Sequence, residues 1–358
     1  MTFEPSAVRR ILVIKLRHIG DVLLTVPVFR ALRDHFPGAH LAAFVTGGTE
    51  AMLQGHPAVD DIFVFDRAAM GRGPLGRLRQ EWRLLQTLRA RRFDLTIDLT
   101  SGDRAAIAAR VSGARYRLAF LRRDGMWGKR LLWTHTAPGP SDDRHTVMQN
   151  LELLEAFGIA AKDPRLELYW SPEDDAAVDR WWAEWGWAPG QPVVQVHPTS
   201  RWLFKCWGDD DNAWIIDALQ ARGIRVIVTC GPQASEVSKA NRILDRCRQR
   251  PPALLGRTTL KQLAALTARC TAFFGVDSAP MHMAAAVGTP VVALFWSGSV
   301  THWRPWGDGH TVIEAPTPAT AAGAERRNQI MAALATIPRD RVLRALEATL
   351  AEPARKAL

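Results

Sequence analysis

Ile11-Leu12-Val13-Ile14 is an unbroken apolar run, mostly β-branched, with no polar alternate to face water. Such a run fits a strand covered on both faces, the environment of a parallel sheet flanked by helices. The turn Lys15-Leu16-Arg17-His18-Ile19-Gly20-Asp21 follows, then a helical pattern from Val22 to His35 that stops near Pro37-Gly38. The alternation repeats, with strands at 41–45, 61–65 and 95–99. Between them lies an Arg-rich helix at 75–90, whose apolar stripe is Leu75, Leu78, Trp82, Leu85 and Leu88. Strands alternating with helices predict βαβ units and a parallel sheet. A stretch at 163–192, carrying the cluster Trp181-Trp182-Ala183-Glu184-Trp185-Gly186-Trp187, interrupts the series. The pattern restarts at Val193-Val194-Gln195-Val196, with further strands at 225–229, 272–276 and 291–295 and helices at 212–222, 234–248, 259–268 and 280–287. A chain of 358 residues has room for two such α/β halves, with a boundary near 170. Open α/β sheets bind ligands outside the carboxyl ends of their strands, so the chemistry is expected in the loops after strands, around a cleft between the halves.

Charge is unevenly spread. The net charge is +10, and residues 1–150 carry 23 basic against 14 acidic groups. An excess concentrated in one half points to an anionic partner for that half. Residues 67–92 alone hold eight arginines and one glutamate. The four cysteines, Cys206, Cys230, Cys247 and Cys270, show no zinc spacing and read as free thiols of a reducing compartment. The uncharged stretch from Ser278 to Trp303 is broken by Gly288-Thr289-Pro290, and reads as a buried helix then a buried strand rather than a membrane span. The start of the chain lacks the pattern of a signal peptide. A cytosolic protein is expected, with a membrane surface as one anionic partner and no nucleic-acid motif.

Four loops carry the specialised residues. Gly20-Asp21 closes the turn after the first strand, where Asp21 is either a general base or a first-turn carboxylate favoured by the helix dipole. The absence of Gly-x-Gly-x-x-Gly there argues against a dinucleotide site. After the first strand of the second half, Thr199, Ser200, Arg201, Lys205 and two tryptophans fall within Thr199 to Trp207, a set of hydroxyls and cations suited to a diphosphate. In Gly275-Val276-Asp277-Ser278-Ala279-Pro280-Met281-His282, Asp277 would repel phosphate and better suits sugar hydroxyls, or else it simply caps the helix with Ser278. Glu236, in the first turn after Gly231-Pro232, fits a ribose diol or a plain helix-start charge. Asp209-Asp210-Asp211 reads as an N-cap and first-turn acids, not as metal ligands.

The segments Ile11 to Asp21, His197 to Trp207 and Phe274 to His282 together resemble glycosyltransferase family 9, the ADP-heptose:lipopolysaccharide heptosyltransferases. His-Pro-Thr-Ser-Arg-Trp-x-Phe-Lys-Cys-Trp looks most like the heptosyltransferase III branch. The resemblance spans roughly 9–350 and implies an α/β GT-B fold, two Rossmann-like domains with parallel sheets facing a central cleft. Residues 1–170 would then bind the acceptor and 171–335 the nucleotide sugar. Residues 336–358 would form a terminal helix, with packing back on the N-terminal domain as one expectation. The implied reaction is inverting, metal-independent transfer of L-glycero-D-manno-heptose from ADP-heptose to the inner core of lipopolysaccharide, without a cofactor. By motif match Asp21 resembles the base, and Lys205 the lysine on the diphosphate, with Thr199 and Ser200 beside it. Arg201 falls in the same donor segment. Glu236 resembles the ribose-binding acid. Asp277 resembles the carboxylate on the heptose, with Ser278 and Ala279 as backbone donors. His282 matches a histidine of that motif, and Thr258 is expected near the nucleobase. Lys15, Arg17 and His18 are expected on the acceptor side. The implied location is cytoplasmic, peripheral on the inner face of the inner membrane. The sequence departs from relatives at Trp296, where glycine often follows the strand, and in the cluster 181–187. Other readings stay open: a family 9 enzyme with another donor or acceptor, a GT-B nucleotide-sugar epimerase, or a non-enzymatic module for anionic surfaces.

Overall fold

In the computed structural model, which describes residues 8–66, 73–121, 125–188, 190–316 and 322–351, the Ile11–Ile14 run lies inside a six-stranded sheet. The strands are β1 (Arg10–Lys15), β2 (His40–Thr46), β3 (Asp61–Phe65), β4 (Leu95–Asp98), β5 (Tyr116–Phe120) and β6 (His135–Ala137). Their order is β3-β2-β1-β4-β5-β6, and every neighbouring pair is parallel. Ile11, Leu12 and Ile14 are fully buried, as a strand with helices on both faces requires.

A second sheet contains β7 (Val193–His197), β8 (Arg225–Cys230), β9 (Ala253–Leu255), β10 (Ala272–Val276), β11 (Val291–Trp296) and β12 (Thr311–Ala315). Its order is β12-β11-β10-β7-β8-β9, again all parallel. Counted within its own half, each sheet runs 3-2-1-4-5-6, the doubly wound order. The order of strands winds outward in opposite directions from the first and fourth strands, so β1/β4 and β7/β10 are the switch points. The chain divides into two compact units, Met1–Tyr169 and Trp170–Leu358.

The tryptophan cluster is core. Trp187 is buried with Val178, Val193 and Leu266, and Trp181, Trp182 and Trp185 pack against that group. The stretch from Ser278 to Trp303 forms the helix Ala279–Ala286, then β11, then a short helix Ser297–Trp303. No helix among the described residues is long and apolar enough to cross a membrane. All four cysteines are free thiols.

One expectation needs correction. The Arg-rich helix spans Pro74–Ala90, but its stripe is narrower than the pattern suggested. Leu88 is buried and Leu84 and Leu85 pack on the sheet core, while Trp82 is 57% exposed. The side chains of Leu75, Leu78 and Arg77 lie outside the described residues, as do Arg122 and Arg123. The terminal helix Arg339–Ala351 places Val342, Leu343 and Leu346 in the core of the C-terminal unit, against the helix Asp209–Gln220 and β10 and β11.

The C-terminal unit buries His197 and His282 and half-buries His310. Burial pushes the His197 pKa down to about 3, that of His282 to about 3 with the Lys205 charge adding to the effect, and that of His310 to about 4. In the unfolded chain each titrates near 6.5. Below about pH 6.5 the unfolded state therefore binds more protons than the folded one, and stability falls as pH falls. The urea midpoint is expected to drop between pH 7 and pH 5, and His197→Asn to make that slope shallower. An equal slope for variant and wild type would show that His197 protonates freely in the folded protein.

Candidate functional site

In the C-terminal unit the switch point is closed by side chains from the loops after β7 and β10. Gly275 on β10 lies opposite His197 on β7, and a Cβ at 275 would come within 2.8 Å of the His197 carbonyl oxygen. Only glycine lets the two strand ends approach this closely. The loop after β7 then turns through Leu203–Lys205, and Lys205 Nζ donates to Asp277 Oδ2 at 2.6 Å. Lys205 Nζ also sits 5.0 Å from the centre of the Trp202 ring. Asp277 is buried, and Ser278 and Ala279 open the helix Ala279–Ala286 directly after it. The Ser278 hydroxyl is buried without a hydrogen-bond partner among the described residues.

Thr199 is fully buried, and its hydroxyl donates to Glu236 Oε2 at 2.8 Å. Glu236 lies in the first turn of the helix Ala234–Leu244. Its carboxylate folds over Gly231, where a Cβ would meet Oε1 at 2.5 Å. Gly256, with φ +65°, brings the loop after β9 against Pro232, so half-buried Thr258 belongs to the same rim as Glu236. Ser200 is buried beside Thr199, whereas Arg201 is exposed. His282 is buried one turn into its helix, edge-on to Trp303 at 6.3 Å, and its Nδ1 has no partner among the described residues. The loops therefore bring together Thr199, Ser200, Lys205, Glu236, Asp277 and Ser278, and leave Arg201 outward.

Asp209, Asp210 and Asp211 form the first turn of the helix Asp209–Gln220, and Gly208 takes the N-cap position expected of an aspartate. Each carboxylate is engaged by cations: Asp209 by Lys239 and Arg242, Asp210 by Arg246, Asp211 by Arg339. Among the described residues no group of three or more His, Cys, Asp or Glu is arranged to hold a metal ion.

In the N-terminal unit Asp21 is the third residue of the helix Ile19–Leu23 and half-buried. It accepts the His18 backbone N–H at 3.3 Å. Arg17 and His18 are exposed next to it. Lys15 is not: it is buried and spans the switch point, donating to the Leu99 carbonyl after β4 and to Asn150 Oδ1, both at 3.1 Å. Asn150 in turn donates to the Leu24 carbonyl at 3.0 Å, just past the helix that carries Asp21. Burial pushes the Lys15 pKa down to about 8, opposed by the negative charge of Asp21. Asp98, at the end of β4, is pushed up to about 6 by burial, although the Ser101 and Thr100 amides and the Trp133 indole all donate to it. The roles of Asn150 and Trp133 were invisible to sequence reasoning, because Asn150 meets Lys15 across 135 residues and Trp133 meets Asp98 across 35.

Comparison with known proteins now bears on this geometry. The model of glycosyltransferase family 9 (heptosyltransferase) matches residues 81–331. The chain is 33% identical to lipopolysaccharide heptosyltransferase 3 of Escherichia coli K12 over 347 residues, 95% of this chain and 97% of that protein. Among solved structures it resembles a family 9 glycosyl transferase from Veillonella parvula, with TM-score 0.84 and 20% identity over 96% of this chain and 98% of that one. It also resembles the E. coli heptosyltransferase WaaC with ADP, with TM-score 0.72 and 20% identity over 95% and 99% of the two chains. The architecture is GT-B, and the chain belongs to glycosyltransferase family 9, the heptosyltransferases.

Proposed function

We propose that this glycosyltransferase moves a heptose from ADP-heptose to the inner core of lipopolysaccharide, with inversion and without a metal. The observation that carries the reading is the Lys205–Asp277 pair at the β7/β10 switch point, flanked by the Thr199–Glu236 pair. A diphosphate needs a cation and hydroxyl donors, and a polyol needs a carboxylate acceptor; the loops supply both within one unit. The relatives are heptosyltransferases by name, and WaaC has been solved with ADP and with an ADP-2-deoxy-2-fluoro heptose.

In this reading the acceptor hydroxyl attacks the anomeric carbon as the bond to the diphosphate oxygen breaks, in a single displacement that inverts the centre. Asp21 takes the hydroxyl proton. Lys205 neutralises the charge that develops on the leaving ADP, and Asp277 orients the sugar through its hydroxyls. Glu236 grips the ribose, and Ser278 and Ala279 offer backbone donors. Electrostatic stabilisation of this kind, set up in advance by fixed donors, needs no metal. The buried Lys15 holds the turn before Asp21 in place, with Arg17 and His18 facing the acceptor.

The site of action is the cytoplasmic face of the inner membrane, where an anionic lipid acceptor would be met. The support lies in the segment after β5. Trp127 is 96% and Leu131 75% exposed, beside exposed Met126 and Arg130. An apolar cluster with an indole and a cation suits the membrane interface. It is a sharper feature than the Arg-rich helix that charge alone suggested. Trp127→Ser with Leu131→Ser is expected to lower co-sedimentation with phosphatidylglycerol vesicles while leaving turnover on a soluble acceptor intact; equal vesicle binding would remove this surface from the reading.

Asp21→Asn is expected to lower kcat by about 10²-fold or more, the usual contribution of a positioned base, with ADP binding unchanged in calorimetry. Turnover within a few-fold of wild type would exclude the base role. Lys205→Ala leaves Asp277 facing the diphosphate without its counter-ion. It is expected to raise the KM for ADP-heptose and lower kcat, by about 10-fold or more in combination. EDTA is expected to change nothing in the wild type. Activity lost in EDTA and restored by magnesium would contradict charge neutralisation by Lys205 alone.

A further inference from the structure

A cavity of about 450 Å³ adjoins Lys205 in the C-terminal unit, on a side not lined by Thr199, Glu236, Asp277 or His282. Its walls are Trp202, Phe204 and Trp296, with Ile330 behind them, and its polar groups are Lys205, Arg326 and Arg327. The helix Gly323–Ala335, which packs on the Leu203–Lys205 turn and on β11, supplies both arginines. Arg326 lies 5.0 Å over the Trp296 ring, as Lys205 lies over Trp202. Among the described residues no carboxylate lines the cavity, and neither arginine has a carboxylate partner.

Trp296 is held in place by its neighbour. Its ring lies so close to Gly298 that a Cβ there would overlap it, at 1.9 Å from Cζ3. Its indole N–H is buried and has no acceptor among the described residues. Aromatic faces suit the apolar face of a pyranose ring, and paired guanidinium groups suit phosphate or carboxylate oxygens.

We infer that this cavity is a subsite for a negatively charged sugar residue of the acceptor, with Trp296, Arg326 and Arg327 setting acceptor choice. The inference rests on the transferase reading above. The heptose of the donor carries no charge, so a neutral polyol gives no reason for two further cations and no carboxylate. The donor's own charge lies on its diphosphate, which the reading above assigns to Lys205 and the Thr199-Ser200 hydroxyls. The anion of the acceptor is a phosphate ester or a sugar carboxylate, which present the same oxygens to a guanidinium.

The test uses the full-length enzyme and an Arg326→Gln/Arg327→Gln variant, whose exposed positions on a helix keep the fold. A core oligosaccharide is supplied intact, after phosphatase treatment, and after reduction of its carboxyl groups. The variant is expected to raise the KM for the intact acceptor by about 10-fold or more, the worth of a charged hydrogen bond, with the KM for ADP-heptose unchanged. Whichever treatment removes the difference between wild type and variant identifies the anion. A rise in the donor KM alone would assign the cavity to the diphosphate and overturn the inference. Equal losses on all three acceptors, or no loss on any, would do the same. Calorimetric binding of the intact oligosaccharide to both proteins is measured without donor. Failure of the wild type to transfer heptose would sink the transferase reading. Weaker binding to the variant, for the charged oligosaccharide only, would still uphold the subsite, and equal binding would overturn it.

Discussion

The Lys205–Asp277 ion pair is the interaction around which the switch point of the C-terminal unit is arranged. It joins the loops after the two strands that flank the switch point, 72 residues apart in sequence. Both side chains are largely withdrawn from water. Burying such a pair returns little net stability, because desolvation offsets the attraction, whereas removing one partner leaves a costly lone charge. Its value is therefore positional. It fixes a cation and a carboxylate side by side where the ends of β7 and β10 part, and Gly275 keeps those ends close enough for the pair to form.

The N-terminal unit repeats the geometry with a different outcome. Its sheet has the same strand order, and a lysine again spans the first and fourth strands. There Lys15 is buried deeper, satisfied by a carbonyl and by Asn150, and its pKa is drawn down to about 8. One lysine keeps an acidic partner at the mouth of its sheet; the other is built into the wall. Asn150 ties that wall to Leu24, so the segment bearing Asp21 is braced from behind. Bracing of this kind would serve the base role proposed for Asp21.

How much of this was legible follows from range. Fully apolar strands such as Ile11–Ile14 and Ala272–Val276 announced themselves, because a run covered on both faces has no polar alternates. The edge strands β6, β9 and β12 did not. Two of them are three residues long, and β6 reads His-Thr-Ala. The loop segments bearing Thr199, Lys205, Asp277 and Glu236 were legible because each follows a strand. Their pairings were not, since Thr199 meets Glu236 and Lys205 meets Asp277 only through the sheet order. The terminal helix was read as amphipathic, but nothing in its own residues says which core takes Val342 and Leu346. That choice is made by the helix Asp209–Gln220 and by β10 and β11.

Net charge misdirects in the same way. The excess of residues 1–150 pointed to an anionic partner for that half, but several of its arginines are paired with carboxylates. Arg30 binds Asp163 and Glu167, Arg33 binds Asp60, Arg91 binds Asp61, and Arg104 binds Glu81. The nearly neutral half instead carries Arg326 and Arg327 with no carboxylate partner among the described residues, beside a cavity walled by indoles. A count of charges records composition, whereas binding depends on which cations are left unneutralised next to a space of the right size. By that criterion the acidic side chains of the second half matter as much as its arginines. Asp209, Asp210 and Asp211 pair with Lys239, Arg242, Arg246 and Arg339, none of which lines the cavity, whereas Lys205, Arg326 and Arg327 do.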